Sequence, residues 1–180
     1  MSKKVLILSS SLRGGSNSEI LARECFRGAE EAGLDVSLVS LKGLSIRYCI
    51  GCLACQKTGR CVLSDDVAGI LEKVRQAEAI VFATPVYYYG LSGQLKTLLD
   101  RLNPLYDSDY KFRDIYLIAT AADTAKDTFD KTLTGLQGWV DCFEKASLRS
   151  CVLGKGLEKP NEAKGREDLM KQAFELGKNL

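Results

Sequence analysis

Four of the seven cysteines in this 180-residue chain stand in one window, Cys49, Cys52, Cys55 and Cys61, with the spacing C-x2-C-x2-C-x5-C. Thiolates repeated at this interval let a single loop wrap an iron–sulfur cluster, because each turn of the loop returns a sulfur toward the same centre. Gly51 and Gly59 give the window the backbone freedom that wrapping requires. Other chemistries share the pattern. Structural zinc usually draws on two separated ligand pairs, so cysteines crowded into thirteen consecutive residues favour it less. A redox-active C-x-x-C leaves the third and fourth sulfurs without a role, and the blandest alternative is a loop of relic cysteines holding no metal. Cys25, Cys142 and Cys151 fall in helix or strand patterns and are expected to be small core residues.

Histidine is absent from the chain. That removes the usual general base, the usual zinc partner of cysteine, and any Ser-His or Cys-His dyad. Chemistry done by this protein would therefore come from a bound cofactor. A formal net charge of +2 is too mild to point to nucleic acid. Lys3 and Lys4 precede only the apolar run Val5-Leu6-Ile7-Leu8, too short for a secretory leader, and no stretch approaches a membrane span. A cytoplasmic protein without a membrane partner is expected, and an odd cysteine count there argues against a disulfide framework. The cluster of Lys155, Lys159, Lys164, Arg166 and Lys171, interleaved with Glu158, Glu162 and Glu167, reads as solvated surface.

The elements that would position such a centre alternate in type. Residues 4–9 form a short, continuous apolar run typical of a buried strand. Ser10-Ser11-Leu12-Arg13-Gly14-Gly15-Ser16-Asn17-Ser18 follows as a loop, and then a helix carries Leu21, Cys25, Ala29 and Ala32 to Gly33. Free N–H groups and the positive end of the helix dipole make such a junction an anion site. Arg13 can add a charge-assisted bond to a phosphate. Ser16 with Glu19 also spells a capping box, but capping does not account for Ser10, Ser11, Ser18 and Arg13 in the same loop. The loop matches neither the dinucleotide fingerprint nor the P-loop.

Residues 34–41 read as a second strand, the cysteine segment as an irregular connection, and Asp65-Asp66 as the acidic start of a helix bearing Val67, Ile70, Leu71 and Val74. Residues 79–83 form a third strand, ending in the loop Thr84-Pro85-Val86-Tyr87-Tyr88-Tyr89-Gly90 before a helix with Leu95, Leu98, Leu99 and Leu102. Residues 114–120 are a fourth strand, followed by Ala121-Ala122-Asp123-Thr124. A helix through Leu136 and Trp139, a last strand near 148–153 and a closing helix complete the chain. Nothing divides it, so one domain over 1–180 is expected, with a cysteine-rich loop at 48–63. The alternation implies an α/β fold: a five-stranded parallel sheet with helices on both faces and ligand loops at the strands' carboxyl ends. Tyr87, Tyr88 and Tyr89 could flank a flat heteroaromatic there. With a phosphate loop on a neighbouring strand, FMN fits the combination: one phosphate, a ribityl chain and a large flat ring.

Together these stretches resemble the flavodoxin-like NADPH-dependent FMN reductase superfamily, and within it the iron–sulfur flavoproteins. The resemblance rests on Ser10 to Arg13 with Asn17-Ser18, on Thr84-Pro85-Val86-Tyr87, on Gly93 to Lys96 with Leu99-Asp100-Arg101, and on the cysteine spacing followed by Asp65-Asp66. Ser10 stands where the family usually has Gly, and Ala121-Ala122 replaces glycines often seen in the third flavin loop. The resemblance implies a flavodoxin-like three-layer sandwich in which NAD(P)H passes electrons through FMN to a small-molecule acceptor or a redox protein. Ser11, Arg13, Ser16, Asn17 and Ser18 would hold the phosphate, and Pro85, Val86, Tyr87, Tyr88 and Tyr89, with Ala122 and Asp123, the ring. Cys49, Cys52, Cys55 and Cys61 would hold a [4Fe–4S] cluster, no protein acid or base would be required, and a homodimer or homotetramer is expected.

Overall fold

The computed structural model describes residues 2–180. Its first unit sets the pattern for the rest. The apolar run forms β1 (Lys4–Ser9), buried from its second residue on, and the serine loop delivers the chain into α1 (Asn17–Glu31). After β2 (Asp35–Ser40) comes the cysteine segment, which contains a short helix, α2 (Ala54–Thr58), where the sequence pattern gives only an irregular connection. Then follow α3 (Val67–Gln76), β3 (Ala79–Tyr87), β4 (Gly90–Leu91), α4 (Gly93–Arg101), β5 (Asp114–Thr120), α5 (Asp130–Val140), β6 (Ser147–Gly154) and α6 (Glu167–Lys178).

The five long strands are parallel, in the order β2-β1-β3-β5-β6. This is the flavodoxin-like doubly wound order, with its switch point between β1 and β3. The sheet is covered on both faces. Leu6, Leu8, Ile80, Phe82, Ile115 and Leu117 pack toward α3, α4 and α5, while Val5, Ile7, Val81 and Ile118 pack toward α1 and α6. Two apolar faces explain why these strands read as unbroken hydrophobic runs rather than alternating ones. β2, at the sheet's edge, is only half-buried beyond its exposed first residue, and its alternation is correspondingly clearer.

Two expectations are corrected here. β3 does not stop at Ala83 but runs through Thr84-Pro85-Val86 to Tyr87, where β4 folds back against it antiparallel. Pro85 is tolerated within the strand because β1 has already ended opposite Ala83, although Pro85 still lies in register with Thr120 of β5. Cys142 is exposed, just past the end of α5, and is no core residue. Cys25 is buried, and that burial pushes its thiol up to about 12. Among the described residues no helix is long and apolar enough to cross a membrane.

Candidate functional site

Parallel strands that are neighbours in the sheet end at one edge, so the loops after β1, β3 and β5 meet there. They enclose a cavity of about 180 Å³ lined by Ser11, Arg13, Ser16, Asn17, Pro85, Val86, Tyr87, Thr120, Ala121 and Ala122, with Leu157 and Glu158 from the chain beyond β6. Eight of the twelve expected cofactor residues are thus brought together. The loop after β1 contributes hydroxyls, a guanidinium and the start of α1, and the loops after β3 and β5 contribute a proline, a tyrosine ring and small alanines. Donors of the first kind suit an anion, and flat or small side chains of the second kind suit a planar ring.

Part of the serine loop is occupied with building itself. Ser16 caps α1, its Oγ accepting from the Glu19 N–H at 3.4 Å and pairing with Ser18 Oγ at 3.1 Å. Glu19 closes no capping box, since its carboxylate instead accepts from Arg23. Ser18 is fully buried and lies off the cavity. Ser10 Oγ donates to the Ala83 carbonyl and pairs at 2.9 Å with Ser92 Oγ, the N-cap of α4. The hydroxyl therefore joins three elements, a task that glycine in its place would leave undone.

The stretch read as solvated surface closes over this loop. Asn17 Nδ2 donates to the Lys159 carbonyl at 2.9 Å, and its Oδ1 accepts from the Ala163 N–H. Arg13 Nη1 donates to the Glu158 carbonyl, and the Asn161 N–H donates to the Gly15 carbonyl. Gly15, at φ +64°, has the Asn161 side chain where a Cβ would stand. Leu157 and Glu158 escaped sequence reasoning because the charged residues around them hide two lining positions. Asn17, a polar residue fully buried at a helix start, is the partner that holds them.

Tyr88, Tyr89 and Asp123 stand outside the cavity. Tyr88 and Tyr89 are the two central residues of the tight turn between β3 and β4, at φ 49° and 63°, and the turn carries their side chains away from the lining. Turns of this hand favour Asn-Gly, so two tyrosines there carry backbone strain. Tyr88 is 101% exposed. Tyr89 is tied to α5, its carbonyl accepting from Thr132 Oγ1 and its ring lying 5.4 Å from Lys131 Nζ. Asp123 shapes its own loop, accepting from the N–H groups of Thr124 and Ala125 and from Thr128 Oγ1. The bond from the Ala125 N–H, followed by that from Thr128, lowers its pKa against the opposing effect of desolvation.

Cys49, Cys52, Cys55 and Cys61 line a second cavity together, with Ile50, Leu53, Val62, Leu63 and Pro104 as apolar walls and Asp100, Arg101 and Asn103 among its lining. All four thiols are free. The loop bends as expected at Gly51 (φ 64°) and Gly59 (φ 66°), and also at Leu53 (φ 56°), which begins α2. Among the described residues, no three Cys, Asp or Glu side chains gather as the ligands of one metal ion would. The four cysteines instead share the lining of one cavity.

Beneath this loop lies a feature missed in the sequence. Arg101, in the last turn of α4, binds Asp65 through both ends of its guanidinium, with Nη1–Oδ2 at 2.6 Å and Nη2–Oδ1 at 3.0 Å. Both side chains are 1% exposed. Arg101 Nη1 also donates to the Arg47 carbonyl, while Asp65 accepts from the Arg47 and Val67 N–H groups. Burial alone would raise the Asp65 pKa. The bond from Arg101, the two backbone N–H groups and the Arg101 charge outweigh it, and the carboxyl sits below its usual range. An acidic pair before a helix reads as dipole matching, and only the fold reveals an arginine 36 residues away as its partner.

Comparison with known proteins bears on the family and the fold. The family model described as NADPH-dependent FMN reductase matches residues 3–129. An iron–sulfur flavoprotein of Methanocaldococcus jannaschii is 40% identical over 102 residues, 57% of this chain and 53% of that protein, so the chain spans about half its length. An iron–sulfur flavoprotein of Methanosarcina thermophila is 29% identical over 138 residues, 76% of this chain and 72% of that protein. In fold, the chain resembles a NAD(P)H:quinone oxidoreductase from Methanothermobacter marburgensis with a TM-score of 0.75 at 18% identity, covering 99% of this chain and 96% of the other.

Proposed function

The chain belongs to the NADPH-dependent FMN reductase family, and on that premise we propose that it is an FMN-dependent oxidoreductase that also carries a [4Fe–4S] cluster. The observation that carries the flavin reading is the meeting of the three strand-end loops around one cavity, with the donor-rich loop after β1 facing the same space as the Pro85-Val86-Tyr87 loop. The cluster reading is supported by four free thiols around a second cavity and by the names of the relatives. FMN supplies hydride chemistry when bound, and an iron–sulfur cluster supplies one-electron transfer.

The chain's own residues bind and orient. Ser11, Ser16 and the start of α1 offer hydrogen bonds to a phosphate, and Arg13 offers it a positive charge. Asn17 holds the 157–163 segment over the loop, which narrows the cavity and limits water around the phosphate. Pro85, Val86 and Tyr87 form one wall for the ring, and the small side chains of Ala121 and Ala122 leave it room. With no histidine in the chain, the usual acid–base side chain is absent, and the proton taken up with each hydride would come from water. NAD(P)H is the proposed electron donor, a quinone or free flavin the proposed acceptor class, and a homodimer or homotetramer the proposed assembly.

Purification without oxygen tests both halves at once, by visible spectrum and by flavin, iron, zinc and acid-labile sulfide measured on one sample. About one FMN with four irons and four sulfides per chain is expected. Iron absent after anaerobic reconstitution would sink the cluster, and a colourless chain that takes up no FMN would sink the flavin. Cys52→Ser is expected to lose most of the iron and sulfide while keeping its FMN, because the two cavities share no residue. Arg13→Gln is expected to weaken FMN about tenfold by fluorescence titration, the worth of one charge-assisted bond. An unchanged affinity would move the phosphate away from this loop.

A second reading is favoured by one observation. Ile50, Leu53 and Val62 beside the cysteines are exposed apolar side chains, as expected of a surface on which a redox protein rests. On that reading the chain is an electron carrier. Slow oxidation of NAD(P)H combined with fast reduction by a ferredoxin would favour it.

A further inference from the structure

The cysteine cavity presents hydrogen-bond donors as well as sulfurs. Asn103 opens a 3-10 turn (Asn103–Leu105) just past α4, against which α2 packs, and its Nδ2 lies 3.0 Å from Cys55 Sγ. Arg101, two residues earlier, lines the same cavity. Its terminal nitrogens are taken by Asp65 and the Arg47 carbonyl, whereas its buried Nε finds no hydrogen-bond partner among the described residues. A buried guanidinium N–H without a partner costs free energy unless something accepts from it. The cavity that Arg101 lines offers four cysteine sulfurs as acceptors, besides the Asp100 carboxylate already bound to Lys96.

We propose that Asn103 and Arg101 donate hydrogen bonds to the sulfurs of the cluster held by Cys49, Cys52, Cys55 and Cys61 and thereby raise its reduction potential, with Asp65 as the positioning residue that aims the guanidinium. The inference rests on the cluster reading above. Its physical basis is that reduction adds negative charge to a cluster, and N–H donors and a fixed cation stabilise the more negative state. The bidentate clamp on Arg101 keeps that cation at one distance from the thiolates. The clamp itself is buried, so water screens its charge less than it would a cation on the surface.

The test is a redox titration, by mediators and low-temperature electron paramagnetic resonance, on protein purified and reconstituted without oxygen. Asn103→Ala is expected to lower the midpoint potential by about a tenfold shift in the one-electron equilibrium, about 59 mV. Asn103→Asp keeps the volume but replaces the donor with a negative acceptor, and is expected to lower the potential further. A merely structural role for Asn103 would reduce iron content and leave the potential of the remaining clusters unchanged. Wild-type protein holding four irons, with both variants titrating at its potential, would overturn the proposal. Wild-type protein that takes up no iron would instead overturn the cluster reading on which the proposal stands, and the flavin content of the same sample would show that the protein is folded.

Discussion

Asp65→Ala is expected to lower the unfolding free energy by about 3 kcal/mol, read by urea denaturation followed by circular dichroism. The value is the low end of the cost of breaking a buried ion pair. The loss comes less from a missing attraction than from a guanidinium left buried without its counter-charge, and from the Arg47 and Val67 N–H groups left without an acceptor. The double variant Asp65→Leu/Arg101→Met is expected to be less destabilised than the single one, since it leaves no charge behind. The pair also predicts a pH dependence. Asp65 sits below its ordinary value in the folded chain, so its contribution is fully present above an unfolded pKa of about 3.9 and is lost as pH falls through the folded value. Wild-type stability should therefore fall on acidification below about pH 4, and Asp65→Ala should fall less steeply. Some slope must persist in the variant. Burial raises the Asp114 pKa, but bonds from Lys3 and Arg149 outweigh it and hold that carboxyl low as well. Equal slopes in wild type and variant would sink the assignment.

Gly177→Ala is expected to cost about 3 kcal/mol in the same experiment, at the upper end of overpacking effects. A Cβ on Gly177 would land on the Cys25 carbonyl, and one on Gly28 would land on the Phe174 carbonyl. α1 and α6 thus cross backbone to backbone, each glycine seated against the other helix. Side chains can rotate away from an intruding methyl, but a helical carbonyl moves only with its helix. The helices would have to part. The opposite sign is expected at Gly69 in α3, where a Cβ meets nothing within 4 Å. Gly69→Ala should stabilise by about 1 kcal/mol through helix propensity alone. Stabilisation at both positions would show that the crossing is looser than it looks.

These cases mark how far the sequence reaches. Continuous apolar runs at 4–9, 79–83 and 114–120 announce strands buried on two faces, and the strand-loop-helix rhythm between them restricts the order in which a parallel sheet can be wound. The three loops that meet at the strand-end cavity follow from that order. Three Tyr residues in a row announce a special turn, yet only Tyr87 lines the cavity, because alternation along β3 and the direction of the turn settle where each ring points. Asn17 is legible as a loop polar residue, but its role as the fastener of the 157–163 segment depends on a chain that returns more than 140 residues later.

What the sequence by itself determined is therefore the local and the periodic: strand and helix types, the doubly wound α/β class, the cap at Ser16, the spacing of four cysteines and the absence of histidine. Those properties act between residues near in the chain, where geometry follows from spacing. What only the tertiary structure decided is which distant partners complete each site: Leu157 and Glu158 over the serine loop, Asp65 with Arg101 beneath the cysteines, Asn103 at Cys55 Sγ, and Gly28 against α6. Such contacts join residues tens to well over a hundred positions apart. They arise when apolar burial brings the two faces of the sheet and their helices together, and that burial constrains the average position of an element far more than the identity of the polar atoms it delivers to a neighbour.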